Sequence, residues 1–296
     1  MTVCTSHTSV VSGEVAAINS YMSWIGGKKS LRDIIIASFP YYYERYIEVF
    51  GGAGWILFHK SPGNDFEVFN DFNGLLVNLY RCVRDRPGEL IEKLRFVLNA
   101  REDFEQIKKA LSRDSPVDNV SKAALFYQLI RYSYASGLTS FASQPHDMWA
   151  NFPPIEQAHR RLAKVVIENK DFEKLIGQYD RPMSFFYLDP PYYQTEGYYF
   201  NIGEGGFATK DHIRLRDALM SIDGKFLLSY NDHPFVREMY DDPGIRIMPV
   251  SRINSIKQRY DGGCLFEELL IANYDLKERQ NRMPKQMDLF EGGLVT

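Results

Sequence analysis

The chain has 296 residues, of which 45% are hydrophobic, so a sizeable core can form and disorder as the main state is excluded. With 35 Lys and Arg against 38 Asp and Glu, the formal net charge is −3, which excludes a global positive field that would attract nucleic acid or membranes. Three distant cysteines do not fit a secreted disulfide framework. No apolar run is long enough to span a bilayer and the first twenty residues lack a signal-peptide pattern, so the sequence predicts a cytoplasmic protein.

Short apolar runs predict the strands of a sheet. Four of them are bounded by Gly, Asn, Asp or Pro and occupy residues 46–50, 66–69, 184–188 and 226–230, and a fifth follows at residues 165–167. Near-continuous apolar strands are typical of a parallel sheet that is covered on both faces. The sequence therefore predicts an α/β fold.

Between the second strand and residue 165 the pattern becomes helical. Apolar residues recur at helical spacing over residues 87–111 and 121–134, and a loop rich in Ser, Gly and Pro then runs to residue 154. A further helix is predicted over residues 210–221. The expected divisions are an N-terminal extension at 1–20, an α/β domain at 21–85 and 162–275, an inserted helical domain at 86–161, and a polar, mobile tail at 276–296.

A glycine-rich turn directly follows the first strand. Phe50, Gly52 and Gly54 lie in F-G-G-A-G, where glycines let the backbone turn tightly and approach a ligand. Asp71 follows the next strand, about 20 residues later, the interval at which an acidic residue accepts hydrogen bonds from a ribose. The alternative for Asp71 is an N-cap of the following helix. Together the two features favour a nucleoside-bearing ligand.

The sequence D-P-P-Y follows the strand at residues 184–188, where open α/β sheets place their sites. The two prolines fix the backbone beyond Asp189 and expose a carbonyl that no neighbouring amide satisfies. An exocyclic amine offers two N–H donors, which the Asp189 carboxylate and the Pro190 carbonyl could accept while the Tyr192 ring stacks on the base. The alternative is an acidic loop with a proline turn.

At this point the chain resembles the Dam-like adenine-N6 DNA methyltransferases over residues 21–274. The ordered motifs that carry the resemblance are W-I-G-G-K at 24–28, F-G-G-A-G at 50–54, N-D-F-N at 70–73, D-F at 171–172, D-P-P-Y at 189–192 and the closing strand E-E-L-L-I-A-N-Y at 267–274. The resemblance implies a Rossmann-like methyltransferase sheet with a DNA-recognition insertion and S-adenosylmethionine as the methyl donor. No metal is expected.

The resemblance also implies roles for individual residues. Trp24 and Lys28 would lie near the methionine end of the cofactor, Phe50, Gly52 and Gly54 would line its pocket, Asp71 would bind its ribose, and Asp171 with Phe172 its adenine. Asp189, Pro190 and Tyr192 would be catalytic, with Asp189 stabilising the positive charge that develops on N6 and Tyr192 receiving a flipped-out adenine.

Two regions are candidates for contact with double-stranded DNA. Arg131, Ser136 and Ser140 fall where relatives carry an Asn-Gly-Leu-x-Arg-x-Asn loop, but here Ser136 and Ser140 replace the first Asn and the Arg, so a GATC target does not carry over. The second region is a predicted hairpin with Arg252, Lys257 and Arg259, whose charges suit a phosphate backbone. A solvated basic loop is the alternative.

The sequence therefore predicts an enzyme that methylates adenine N6 in double-stranded DNA. The alternatives are a catalytically silent DNA-binding protein of the same fold and an RNA adenine or cytosine-N4 methyltransferase. In the tail, Gln286, Leu289 and Phe290 lie in Q-M-D-L-F, which resembles the peptide by which bacterial proteins bind the DNA polymerase sliding clamp. The alternative is that Leu289 and Phe290 pack back onto the enzyme.

Overall fold

The computed structural model describes residues 17–112, 117–194, 206–253 and 265–282. Its centre is a sheet of seven strands in the order β3-β2-β1-β4-β5-β7-β6. The strands are β1 (Arg45–Glu48), β2 (Phe66–Asn70), β3 (Val166–Glu168), β4 (Ser184–Leu188), β5 (Lys225–Asn231), β6 (Arg246–Ile253) and β7 (Leu265–Ala272). The five strands predicted from apolar runs are confirmed.

Strands β1 to β5 are parallel, and β7 lies antiparallel between β5 and β6. The chain moves outward from β1 through β2 to β3 and then returns to the other side of β1 with β4, so the strand order reverses between β1 and β4. Ligands of open α/β sheets bind outside the carboxyl ends of the strands at such a reversal. The ends of β1 and β4 meet there, with Glu48 in register with Tyr187.

Helices cover both faces of the sheet. Neighbouring residues of β1 and β4 point to opposite faces, since Tyr46 and Phe185 belong to one buried hydrophobic cluster and Ile47 and Phe186 to the other. The described helices are α1 (Arg32–Ala37), α2 (Trp55–His59), α3 (Gly74–Asp85), α4 (Pro87–Leu94), α5 (Arg101–Leu111), α6 (Asn119–Tyr132), α7 (Phe152–Leu162), α8 (Phe172–Tyr179), α9 (Thr209–Met220), α10 (Pro234–Met239) and α11 (Glu278–Arg282). The predicted α/β class is confirmed.

Helices α4 to α7 form the region predicted as an insertion. Helix α6 is buried on most sides because α3, α4 and α5 pack around it. Its Phe126 and Leu129 belong to the same hydrophobic cluster as Tyr46 and Phe69 of the sheet, so helices and sheet share a core. The helices are confirmed, and their separation into a domain of their own stays a prediction.

A buried ion pair ties the last of these helices to the sheet. The Arg161 guanidinium of α7 donates to both carboxylate oxygens of Glu67 in β2 at 2.6 Å, and to the carbonyl oxygen of Leu57 at 2.9 Å. Glu67 also pairs with Lys60 at 2.8 Å, so two buried cations compensate its carboxylate. Helix α7 begins at Phe152 with prolines in its first turn, so the predicted loop ends three residues earlier than expected.

Within the described part of the chain, no helix has both the length and the apolar character that a membrane span requires. Several predictions lie outside the described residues: those for Lys257 and Arg259 of the basic hairpin, for the N-terminal residues 1–16 and for the clamp-binding peptide at 286–290.

Candidate active site

The glycine-rich turn lies between the end of β1 and the start of α2. Gly52 and Gly54 have φ values of 51° and 66°, in the left-handed region that residues with a Cβ adopt at a cost. A Cβ on Gly52 would lie 3.2 Å from the Trp24 ring, and one on Gly54 would lie 2.8 Å from the Tyr80 hydroxyl. The turn therefore requires glycine at both positions, and it brings the backbone at Gly52 against Trp24.

Asp71, at the end of β2, holds this turn. Its carboxylate accepts hydrogen bonds from the backbone N–H groups of Gly52, at 2.9 Å, and Asn73, at 2.8 Å. Burial raises the pKa of Asp71, although these backbone hydrogen bonds oppose the shift. The N-cap of α3 is Asn73, whose side chain accepts from Leu75 and Leu76, so the alternative reading of Asp71 as the cap is wrong.

A cavity of about 310 Å³ opens beside the turn, within the size range of small-molecule sites. It extends from Asp71 to Asp189 along the carboxyl ends of β2, β1 and β4. Of the residues that the sequence assigned to the cofactor or to catalysis, eight line it: Trp24, Lys28, Phe50, Gly52, Asp71, Asp171, Phe172 and Asp189. Gly54, Pro190 and Tyr192 lie next to these residues in the chain and are not part of the lining.

One end of the cavity is aromatic. The Phe172 ring lies 5.8 Å from the ring centroids of both Phe50 and Phe207. Asp171 caps α8 by accepting from the N–H of Glu173, and the Arg214 guanidinium contacts it at 3.1 Å. Arg214 also stacks 4.8 Å from the Phe172 ring, so a cation of α9 closes this end. Sequence reasoning missed Arg214, because nothing in the pattern of α9 distinguishes it from a solvated helix residue.

Asp189 lies at the opposite end. The Lys28 ammonium is 2.6 Å from its Oδ1, and the Ser229 hydroxyl donates to the same oxygen at 3.0 Å. Burial raises the pKa of Asp189, while the Lys28 charge opposes the shift. Within the described ranges no hydrogen bond or ion pair falls on Oδ2. This oxygen is therefore available to a ligand.

Tyr192 is buried next to this pair. Its hydroxyl donates to Glu268 Oε2 at 2.5 Å, and its ring stacks on Tyr230 with centroids 6.0 Å apart. The Lys28 ammonium lies 4.6 Å from the centroid of the Tyr192 ring and 3.9 Å from Glu268 Oε2. Glu268 is a second residue that sequence reasoning missed, since it was assigned only to a closing strand.

Arg131, Ser136 and Ser140 lie around the end of α6, where Ser136 is buried and Arg131 is half-buried. The Ser136 hydroxyl contacts that of Ser23 at 2.6 Å, which links this region to the N-terminal motif, and Arg131 contacts His146 at 3.2 Å. Ser140 is exposed. Three non-glycine residues of this loop adopt left-handed φ values, namely Ala135, Ser136 and Leu138. Such strained conformations cluster at functional sites.

Comparison with known proteins identifies the family. The family model "D12 class N6 adenine-specific DNA methyltransferase" matches residues 24–256, which is more than half of the chain. The chain belongs to this family. The predicted resemblance is confirmed, and with it the enzyme class: this is an adenine-specific DNA methyltransferase.

Relatives of this methyltransferase span nearly its whole length. The chain is 27% identical to the type II methyltransferase M1.LlaDCHI of Lactococcus lactis subsp. cremoris, over 87% of this chain and 96% of the relative. It is also 27% identical to the type II methyltransferase M.MjaIII of Methanocaldococcus jannaschii, over 87% and 99%, and to the DNA adenine methylase of Haemophilus influenzae, over 84% and 92%.

Glu48 is a further acidic residue of the cavity in this methyltransferase. Glu48, at the end of β1, lines the cavity and is 2% exposed, and burial raises its pKa to about 8 although the Tyr46 hydroxyl donates to it at 2.7 Å.

Arg252 of the predicted basic hairpin belongs to β6, at one edge of the sheet. Its side chain lies outside the described atoms, so the contribution of the basic hairpin to DNA binding stays a prediction.

Proposed function

We propose that the chain transfers a methyl group from S-adenosylmethionine to the N6 amine of adenine in double-stranded DNA, with the target base flipped out of the helix. The observation that carries this proposal is one cavity that extends from Asp71, at the end of β2, to Asp189 of D-P-P-Y. A nucleoside-recognising carboxylate and an amine-recognising carboxylate at two ends of one cavity suit a reaction that aligns a methyl donor with a base amine.

The residues of the cavity fit S-adenosylmethionine. Asp71 offers carboxylate oxygens to a ribose, and the rings of Phe50 and Phe172 offer apolar walls to an adenine. The glycine at position 52 lets the backbone line the cavity close to Trp24 without a side chain between them. Asp171 would accept from the cofactor adenine, and Trp24 and Lys28 would lie near the methionine end. Gly54 lies outside the lining and supports the turn, because the absence of a Cβ makes room for the Tyr80 hydroxyl.

The cofactor, when bound, supplies a methyl group that its sulfonium sulfur already activates. The task of the chain is then to orient the attacking amine, because the N6 lone pair of adenine is conjugated with the ring and is a poor nucleophile. Asp189 accepts one N6 hydrogen through Oδ2, and the Pro190 carbonyl accepts the other. The new N6–methyl bond would replace the methyl–sulfur bond, with S-adenosylhomocysteine as the leaving group. The ionised Asp189 carboxylate would stabilise the positive charge that develops on N6 until N6 loses one proton to solvent.

Tyr192 provides the surface on which the extruded adenine stacks. An amine inside the duplex is out of reach of Asp189, so the base must leave the helix. Stacking on an aromatic ring contributes about 1–3 kcal/mol per base and offsets part of the cost of extrusion. The packing of Tyr192 against Tyr230 holds the ring in one orientation.

We propose that the DNA binds on the face of the protein where the cavity opens. Arg131, Ser136 and Ser140 would contact the target sequence, and the basic hairpin with Arg252 would contact phosphates. Because the loop departs from the family's Asn and Arg pattern, its target would differ from GATC.

The test uses the purified full chain, S-adenosylmethionine and duplex DNA, with the modified nucleosides identified by mass spectrometry. N6-methyladenine should form, and Asp189→Ala should lower the rate by about 10²-fold or more, the loss expected for a direct electrostatic contact, without weakening cofactor binding. The matched control is Asp217→Ala, on the exposed side of α9. Methylcytosine as the sole product, methylation of RNA alone, or a fully active Asp189→Ala variant would overturn the proposal.

A further inference from the structure

Glu268 is an acidic residue at a fully buried position of β7. Its exposure is 0%, and it is paired across the sheet with Asn231 of β5 and Val250 of β6. A carboxylate in such a position costs free energy unless charges and donors compensate it. Two of the groups that compensate it are the Tyr192 hydroxyl, at 2.5 Å, and the Lys28 ammonium, at 3.9 Å. Lys28 lines the cavity beside Asp189, and Tyr192 follows Asp189 in the D-P-P-Y motif.

The contact with Tyr192 fixes the segment that follows Asp189. Burial, reinforced by the charge of Glu268, raises the pKa of the Tyr192 phenol well above its usual value, so the hydroxyl remains a donor. Asn231 fixes the next residue, since its side chain accepts from the N–H of Tyr193 at 3.1 Å and donates to the Tyr193 carbonyl at 3.2 Å. The neighbouring strands β7 and β5 therefore hold the successive residues Tyr192 and Tyr193.

The contact of Glu268 with Lys28 changes the net charge of the side chains beside the target amine. Lys28 carries one positive charge and lies between the carboxylates of Asp189 and Glu268, so the three side chains together carry one negative charge. Without the charge of Glu268, Lys28 would neutralise Asp189. A negative cluster stabilises a cation that develops on N6, whereas a neutral pair does so weakly.

We propose that Glu268 is a positioning residue for methyl transfer: it holds the Tyr192 ring in place and shares the Lys28 ammonium with Asp189, so that these three side chains keep a net negative charge beside the target amine. This inference depends on the proposed function, in which Asp189 and Tyr192 contact the adenine. Glu268 itself acts through these residues.

The test compares Glu268→Gln with Glu267→Gln. Glutamine keeps the size of the side chain and an acceptor for Tyr192 but removes the charge, and Glu267 is the exposed neighbour in the same strand. We expect Glu268→Gln to lower kcat about tenfold or more, with KM for DNA and cofactor affinity within about twofold of the parent. Glu267→Gln should behave as the parent.

The pH profile separates this role from a merely structural one. The negative charge of Glu268 raises the pKa of Asp189, so the acid limb of kcat should move to lower pH in Glu268→Gln. The variant keeps the other groups that interact electrostatically with Asp189, namely Lys28 from the N-terminal loop, Glu48 from β1, Tyr187 from β4, Tyr192 from the same motif and Ser229 from β5.

The inference about Glu268 would be overturned if the Glu268→Gln enzyme had parental kcat and an unchanged acid limb. In that case an inactive Asp189→Ala enzyme would still support the proposed function. If Asp189→Ala retains activity, the proposed function itself fails. Should Glu268→Gln not fold, Tyr192→Phe decides, because it removes the other end of the same hydrogen bond. It should lower kcat with unchanged cofactor affinity, and parental kcat would refute the role.

Discussion

Replacing Asp71 by Asn tests the link between the glycine turn and the cofactor. In the structure both carboxylate oxygens are used, since Oδ2 accepts from Gly52 and Oδ1 accepts from Asn73. An asparagine side chain has one oxygen and one NH₂ group, so in either orientation its NH₂ faces a backbone N–H. One of the two hydrogen bonds is therefore lost, and the turn that lines the cavity is no longer held from both sides.

The magnitude follows from the loss of one hydrogen bond to a charged group, which contributes about 1.5–3 kcal/mol. If the lost bond is needed for the cavity to keep its shape, the Kd for S-adenosylmethionine should rise roughly 10- to 150-fold. Because the same bond is present in the free protein, its cost is divided: the part that the free variant avoids by relaxing the turn raises the Kd, and the rest lowers the free energy of unfolding. Thermal unfolding must therefore accompany the binding measurement.

Titration calorimetry on Asp71→Asn, with Asp217→Asn as the control on the exposed side of α9, measures the affinity directly. In the parent, the raised pKa of Asp71 means that affinity should decline as the pH falls toward that pKa, and the variant should lack this decline. An affinity within about twofold of the parent in a folded variant would refute the reasoning and move the ribose partner elsewhere, with Glu48 as the next candidate.

Three further predictions use other features of the chain. The pKa of Glu48 is raised to about 8 in the folded protein, so at intermediate pH the folded state binds a proton that the unfolded state has lost. The free energy of unfolding should therefore fall as the pH rises from the ordinary Glu value to about 8. Glu48→Gln should remove this fall, which urea unfolding at about pH 5 and pH 9 measures. Replacing Arg252, Lys257 and Arg259 by Ala should weaken binding to all DNA sequences alike and reduce the salt slope by about 0.9 per lost phosphate contact, and an unchanged slope would exclude the hairpin from the interface. A peptide of residues 284–292 should bind a bacterial sliding clamp with Kd in the micromolar range, about −8 kcal/mol, and no binding by peptide or full chain would end that idea.

The strands and the turn after β1 could be predicted because their signals are local. Continuous apolar runs between turn residues define β1, β2 and β4, and the positive φ values of Gly52 and Gly54 explain why glycine stands there. The choice between a ligand role and an N-cap for Asp71 was not local in the same way. It required knowing that the neighbouring Asn73 supplies the cap of α3, which leaves the carboxylate of Asp71 to the glycine turn.

Glu268 could not be identified from the sequence because its position depends on register. Glu267 and Glu268 are adjacent acids at the start of the same apolar run, and a slip of one residue in the pairing of β7 with β5 would place the other carboxylate in the interior. The register that pairs Glu268 with Asn231 follows from contacts between distant segments. It is this pairing that brings a second carboxylate to Lys28 and Tyr192, so the charge of the catalytic end is a property of the assembled sheet. In the proposed mechanism Asp189 of the D-P-P-Y motif accepts the amine, and Glu268 of β7 changes the net charge of the side chains around it.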